Sequence, residues 1–319
     1  MFYGILPLML KFYYPNGTED IWHKSRTGKR YRLDSLNRMI MLKALILKKS
    51  NTEVISVNKK DDSILSLAHT PTLINSYKTG KPRKLAESSG VLYQKDFYRW
   101  VVNNAWAHIM AAENALKENN ITIALTDGGH HAEAGSGYGF GPINSMLIAS
   151  EYLKSKRKVE RVAILDLDAH FGNGTHSQAC HKPWVLSTDL WRYKLDKWSF
   201  TKSEKNVFHK KVENSEQYIK LLPDVLEKIE KFKPDLIWYY LGLDVLETDR
   251  KGGVEGFDVD TLRKRNQLMA EFFTKLKTSV VISIGGGYIN YQLNRLEVQK
   301  QKKELAKLTW ESVYSSSCR

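Results

Sequence analysis

Four short runs hold most of the residues in this chain that could do chemistry: Asp127-Gly128-Gly129-His130-His131, Asp166-Leu167-Asp168-Ala169-His170, Gly242-Leu243-Asp244 and Gly285-Gly286-Gly287-Tyr288. Asp166, Asp168 and His170 alternate with Leu167 and Ala169, so an extended backbone would turn the ionisable groups to one side. Such groups at the end of an apolar strand are costly unless paired, hydrogen-bonded or bound to a cation. N-cap aspartates beside a satisfied histidine are the bland reading, and it weakens once Asp244 and the histidine pair are counted. Asp168, His170 and Asp244 make an oxygen, nitrogen, oxygen set that leaves a coordination position for water, as catalytic zinc requires.

His130 and His131 follow glycines that let the backbone turn sharply toward a ligand. At a metal rim, one imidazole can act as general base on the attacking water and then as acid toward a leaving amine. Each needs a partner to fix its tautomer, and Asp166 and Asn173 are placed to serve. Tyr288 can donate to a developing oxyanion. The set suits metal-assisted hydrolysis of an amide. A second metal is not expected, because Gly172 and Leu246 stand where it would want Asp, and His176, Cys180 and His181 fit no familiar spacing.

These runs follow or close apolar stretches that read as buried strands: Ile121 to Leu125, Val162 to Leu167, Trp184 to Ser187, Leu236 to Leu241 and Ser279 to Ile284. Between them, Phe97 to Lys117, Ile143 to Lys156, Ser215 to Phe232 and Asp258 to Lys277 have apolar residues at helical spacing. Further helices are expected near Leu33 to Lys48 and Tyr291 to Leu308. Strands separated by helices predict a mostly parallel sheet covered on both faces, with ligands bound beyond the carboxyl ends of the strands.

A chain of 319 residues, 42% apolar, can bury a large core, and with no linker or repeat one domain over residues 1–319 is expected. Two cysteines, Cys180 and Cys318, make no disulfide framework, which points to a reducing, cytoplasmic setting. The apolar run from Met1 to Leu10 lacks the features of a targeting signal and is ended by Lys11; it reads as a first strand or packed terminus. No stretch is long enough for a membrane span. The net charge of +14 raises nucleic-acid binding, but the basic residues are scattered and no binding motif accompanies them, so solvated helix faces are the expectation.

Taken with Gly135-Ser-Gly-Tyr-Gly-Phe140 and the continuation to Phe171-Gly-Asn-Gly-Thr175, the four runs resemble, in content and order, those of the zinc-dependent histone deacetylase family. The likeness covers roughly Leu65 to Tyr291. The stretch Asp244 to Gly253, followed by Arg265, is most similar to the class IV branch and its bacterial relatives. The resemblance implies a three-layer α/β/α fold of the arginase/deacetylase type. It implies one Zn2+ per chain on Asp168, His170 and Asp244, with His131 as general base and acid, oriented by Asn173. His130, paired with Asp166, would act electrostatically, Tyr288 would bind the scissile carbonyl, and Gly139 and Phe140 would line an acyl-lysine tunnel. A structural K+ is also implied, near Asp166, Asp168 and His170, with Ser187 as the matching hydroxyl.

The implied substrate is an acyl-lysine protein or peptide, with a small acylated amine as the alternative. A binuclear ureohydrolase and a basic binding module without catalysis are the remaining rivals. Three departures bear on specificity. Gly141-Pro142-Ile143-Asn144-Ser145 replaces the family's usual pocket floor, no match to the class IV N-terminal segment is found around Tyr13 to Arg32, and Lys251 occupies a rim position often apolar in the family. The rim is therefore expected to disfavour cationic substrates. His69 is expected to be structural, while Trp191, Tyr193 and Trp198 could form a pocket wall or an aromatic core contact.

Overall fold

The apolar runs pair side by side into a sheet of eight parallel strands in the order β4-β1-β5-β10-β9-β6-β7-β8. The structure is a computed structural model that describes residues 9–24, 30–194, 205–290 and 293–317. Trp198, Cys318 and residues 1–8 of the N-terminal run lie outside them.

The strands are β1 (Leu10–Pro15), β4 (Thr52–Val57), β5 (Ile121–Ala124), β6 (Val162–Asp166), β7 (Val185–Trp191), β8 (Val207–Lys211), β9 (Leu236–Leu241) and β10 (Ser279–Ile284). A small antiparallel ribbon, β2 (His23–Lys24) with β3 (Arg30–Tyr31), stands apart. The helices are α1 (Asp34–Ile46), α2 (Pro71–Thr79), α3 (Arg83–Ala86), α4 (Phe97–Glu118), α5 (Ser145–Ser155), α6 (Asn173–Ala179), α7 (Ser215–Phe232), α8 (Val259–Leu276) and α9 (Arg295–Ser317).

Both faces of the sheet are covered, as a parallel sheet whose central strands are wholly buried requires. The clearest witness is β9, whose successive residues point to opposite faces. Trp238 donates through Nε1 to Ser150 Oγ on α5 at 2.8 Å, while the next residue, Tyr239, packs its ring 5.7 Å from Phe273 on α8. This is the α/β architecture expected from the alternation of strands and helices.

The four chemical runs leave the carboxyl ends of β5, β10, β9 and β6, which are consecutive neighbours in the middle of the sheet. Residues up to 161 apart in sequence, Asp127 and Tyr288, therefore reach one rim. No helix among the described residues is long and apolar enough to cross a membrane.

Several boundaries differ from the sequence expectation. Lys11 does not end a strand; its ammonium reaches Glu118 at 2.6 Å while β1 continues through buried Phe12, Tyr13 and Tyr14. The third expected strand runs on from Ser187 to Trp191, because Asp189 sits opposite Asp166 in the register and stays buried there. The terminal helix begins at Arg295, where Asn294 Oδ1 accepts from the Glu297 N–H at 3.0 Å. It continues past Leu308 because Thr309 turns its hydroxyl onto the Leu305 carbonyl and can be buried.

Candidate active site

Each of the four central strands delivers its polar residues through a tight exit. After β5, Asp127 Oδ1 accepts from the Gly129 N–H at 2.7 Å and from the Tyr240 hydroxyl at 2.8 Å, closing a turn ahead of the histidine pair. Gly129 has φ of 71°, and a Cβ there would lie 1.8 Å from the Ile143 carbonyl oxygen, so only glycine fits.

After β6 the chain leaves the extended conformation. The Asp168 N–H donates to Asp166 Oδ1 at 3.2 Å, and the His170 N–H donates to Asp168 Oδ1 at 3.0 Å. Strand alternation therefore does not bring Asp166, Asp168 and His170 together, since β6 ends at Asp166. Two successive turns built on aspartate side chains do so instead.

Ligand-capable atoms of Asp168, His170 and Asp244 all lie within 4.8 Å of one another. Among the described residues they are the only such group of three. Their geometry fits a cation. Asp168 Oδ2 accepts from the Gly286 N–H at 2.6 Å and Asp244 Oδ1 from the Ala169 N–H at 3.0 Å, so the backbone orients both carboxylates. A Cβ at Gly286 would come within 2.3 Å of Asp244 Oδ2, so the glycine leaves room for the donor set.

His170 Nδ1 lies 2.8 Å from Asp244 Oδ2 and 3.2 Å from Asp168 Oδ1, while Nε2 donates to the Lys251 carbonyl at 3.1 Å. Burial disfavours charge on His170, but the two carboxylates outweigh it and hold its pKa at about 11. The site thus attracts a positive charge at Nδ1, a place a metal ion would take from the proton.

The histidine pair is set apart electrostatically. His130 Nδ1 lies 2.8 Å from Asp166 Oδ2, and against the opposing effect of burial Asp166 and Asp168 hold its pKa up at about 9. His131, buried beside the His130 and His170 charges, is pushed well below the ordinary histidine value. One imidazole is therefore cationic and the other neutral near neutral pH.

The tautomer of His131 follows from Asn173. Asn173 Nδ2 donates to Glu133 Oε1 at 3.0 Å and to the His131 carbonyl at 3.3 Å, which turns its Oδ1 toward His131 Nδ1 at 2.8 Å. Nδ1 must then carry the proton, and Nε2 is the unprotonated nitrogen of the neutral ring.

Tyr288 stands across the site, its ring 6.3 Å from His170 and 6.3 Å from Phe140. Burial and then the Asp168 and Asp244 charges raise its pKa well above the ordinary phenol value, so it remains a hydrogen-bond donor. A cleft of about 360 Å³ opens above these groups, lined among others by His131, Gly139, Phe140, His170, Lys251 and Tyr288. Gly139 has φ of 55°, and a Cβ there would meet His131 Cδ2 at 2.1 Å. Phe140 itself holds a left-handed φ of 69°, strained for an aromatic residue, with its N–H donating to the Ser89 carbonyl at 2.8 Å.

The structure adds residues that the motifs did not reveal. Arg38 of α1, fully buried, donates Nη1 to the Gly286 carbonyl at 2.7 Å and Nη2 to that of Gly285. Asp249 Oδ2 accepts from the Tyr288 N–H at 2.6 Å. Ser88, Ser89 and Gly90 supply the wall for which the sequence offered no candidate. An arginine in an amphipathic helix and serines in a loop carry no spacing signal, so only the tertiary structure exposes them.

Ser187 is not where the expected cation site would need it. Its hydroxyl lies 2.9 Å from His209 Nε2, and the residue stands opposite Ile164. The oxygen-bearing side chain opposite Asp166 is Asp189, whose Oδ1 has no hydrogen-bond partner among the described residues. His176 packs against Phe171 and His209 rather than forming a ligand cluster with Cys180 and His181. His69 is structural: its Nε2 accepts from the Asn144 N–H at 2.9 Å, and its Nδ1 lies 3.1 Å from the Glu133 carbonyl oxygen. Trp191 packs on Phe171, whereas Tyr193 lies 5.8 Å from the His170 ring and donates to the Gly253 carbonyl at 3.1 Å.

Comparison with known proteins agrees with this architecture. The histone deacetylase domain model matches residues 27–301. The chain is 26% identical over 230 residues to an uncharacterized protein of Picosynechococcus sp., covering 72% of this chain and 76% of that one. It is 25% identical over 257 residues to histone deacetylase 2 of Arabidopsis thaliana, covering 76% of this chain and 64% of the relative. A crystal structure of acetylpolyamine aminohydrolase from Burkholderia pseudomallei superposes with a TM-score of 0.73 over 96% of this chain and 99% of that one, at 17% identity, a likeness of fold. With the domain model spanning most of its length and the arginase/deacetylase fold beneath it, the chain belongs to the histone deacetylase domain family, hydrolases that act on amide bonds.

Proposed function

We propose that this chain removes an acetyl or longer acyl group from the side-chain amine of lysine. The observation that carries the reading is the floor of one cleft, where a neutral imidazole of defined tautomer, a protonated phenol and a ligand triad converge.

Asp168, His170 and Asp244 would hold one divalent ion, zinc by the mixed nitrogen and oxygen donor set. Bound there, it would supply Lewis-acid polarisation of the amide carbonyl and of the attacking water. His131 Nε2 takes a proton from the water as its oxygen attacks the carbonyl carbon. As the C–N bond breaks, the same nitrogen returns that proton to the leaving amine. His130, held cationic by Asp166, favours negative charge developing nearby and keeps His131 unprotonated at rest. Tyr288 donates its hydroxyl proton to the oxyanion in a hydrogen bond. Gly139 and Phe140 form one wall for the linear acyl-amine chain.

A turnover panel tests this reading with protein of measured metal content. Acetyl-lysine peptides, long-chain acyl-lysine peptides, acetylpolyamines and small acetylated metabolites would be compared by kcat/KM. Acyl-lysine peptides are expected to lead the panel. Their failure to turn over, or a clear preference for an acetylpolyamine, would reject the assignment.

A further inference from the structure

We propose that Tyr240 is a positioning residue for the histidine pair: its ring is the floor against which His130 stacks, and its hydroxyl, through Asp127, holds the turn that carries both histidines. The inference deepens the hydrolase reading above and rests on it for what those two histidines do.

Tyr240 is the last residue but one of β9, and its backbone is fixed from both sides, opposite Asp166 of β6 and Ser283 of β10. Its carbonyl also accepts from the Leu167 N–H at 3.1 Å. The side chain is buried and turns to the same face of the sheet as that of Trp238, two residues earlier. Gly285 leaves the room that the ring takes, since a Cβ there would lie 2.9 Å from Tyr240 Cε1.

Three rings meet beneath the cleft. The centroid of Tyr240 lies 4.5 Å from that of His130, with the planes 33° apart, and the centroid of His130 lies 3.9 Å from that of His131. His130 is thus packed against both the phenol and the imidazole that moves the proton. Carboxylates hold it only by its nitrogens, Nδ1 at 2.8 Å from Asp166 Oδ2 and Nε2 at 4.0 Å from Asp168 Oδ1. Contact with an aromatic ring restrains the tilt that those nitrogens leave free, and a cationic imidazole gains from a phenol face.

The hydroxyl acts on the same turn from its start. It donates to Asp127 Oδ1 at 2.8 Å, the oxygen that also accepts from the Gly129 N–H at 2.7 Å. The Gly129 carbonyl in turn accepts from the Ala132 N–H at 2.9 Å, so the histidine pair lies inside one closed turn. Tyr240 therefore ties the beginning of this turn to the middle of the sheet and supports the first histidine within it. A shift of the turn would carry His131 Nε2 away from the attacking water, and a misplacement of about 1 Å can cost roughly 10²-fold in rate.

Two variants separate the ring from the hydroxyl. Tyr240→Phe keeps the ring and loses the hydrogen bond, and kcat should fall about tenfold, the scale of a hydrogen bond to a charged acceptor. Tyr240→Leu loses both, and kcat should fall about 100-fold. KM and metal content should hardly change in either, a split that a mere core filler would not produce. NMR of isotope-labelled histidine in the metal-loaded protein reads the stack itself: the ring-current shift of the His130 signals should persist in Tyr240→Phe and be lost in Tyr240→Leu. Full kcat in folded Tyr240→Leu, a rise in KM that accounts for the whole loss of kcat/KM, or His130 signals that stay in place without the ring would overturn the role and leave the hydrolase standing. Should Tyr240→Leu fail to fold, Tyr240→Phe decides: a lower kcat at constant KM with the His130 signals in place supports the proposal, and wild-type kcat overturns it. The stack is read without turnover, so a wild-type protein that hydrolyses no substrate yet shows the shift rejects the hydrolase reading alone.

Discussion

Replacing Tyr288 by Phe removes one hydroxyl and none of the groups that would hold the ion, so it isolates transition-state stabilisation from metal binding. The expected result is a fall in kcat by about 10² to 10³ with metal content retained, the typical effect of losing one oxyanion donor. His131→Ala removes the nitrogen that Asn173 leaves unprotonated, and kcat should fall by about 10² to 10⁴. Near-normal turnover in either folded variant would show the roles to be misassigned. A metal assay alongside the kinetics is essential, because the His131 and His170 rings lie only 6.1 Å apart.

At the scale of elements, the glycine loop after β10 owes its path to a helix residue 248 positions before Gly286 in the chain. Arg38 on α1 binds the Gly285 and Gly286 carbonyls, and Gly287, with φ of 147°, passes so close that a Cβ would lie 1.8 Å from Nη1. Burial alone would discourage a guanidinium there and lowers its pKa; the Tyr288, Asp244 and Asp249 side chains act in the opposite sense. Arg38→Met should leave the buried Gly285 carbonyl unsatisfied, while that of Gly286 still accepts from the Leu243 N–H, and cost about 1–3 kcal/mol of stability. Because the loop carries Tyr288, kcat should fall more than KM changes. Urea unfolding and steady-state kinetics on the same preparation check both parts, and unchanged stability would refute the bracing role.

Across the whole molecule, two solution properties follow from buried charge. Asp168 and Asp244 are wholly buried, and burial together with the Asp168 charge pushes Asp244 up to about 7. A bound cation would relieve this, so elemental analysis should find about one divalent ion per chain. Chelation should abolish turnover and lower Tm, since a ligand at about 1,000 times its Kd stabilises by about 4 kcal/mol. Two ions at equal occupancy, or full activity after Asp168→Ala, would reject the mononuclear scheme.

The second property concerns His108 on α4, whose burial lowers its pKa to about 4; its Nε2 lies 2.9 Å from Ser283 Oγ. Between pH 6.5 and 4 the unfolded chain takes up a proton there that the folded chain refuses. The neutral histidine's contribution is therefore complete above pH 6.5 and is lost as pH falls toward 4. Relative to His108→Gln, the wild-type protein should lose about 1.4 kcal/mol per pH unit across that window, read from urea midpoints. A constant difference between the two proteins would contradict this.

The sequence by itself determined the alternation of strands and helices and the residues of the four chemical runs, because apolar periodicity and glycine-flanked polar residues are local signals. Leu236–Leu241, Ser279–Ile284 and Ser215–Phe232 were legible to the residue for that reason. The edge strands Thr52–Val57 and Val207–Lys211 were not, since an edge tolerates polar and charged side chains that blur its pattern. Only the tertiary structure decided that the four runs leave adjacent strands, since strand order arises from packing between distant segments. It also decided that Asp189 rather than Ser187 faces Asp166, that Arg38 braces the Tyr288 loop, and that Lys251 lies across the mouth. Each of these depends on register or through-space contact between residues far apart in the chain, and spacing along a sequence carries no record of such distances.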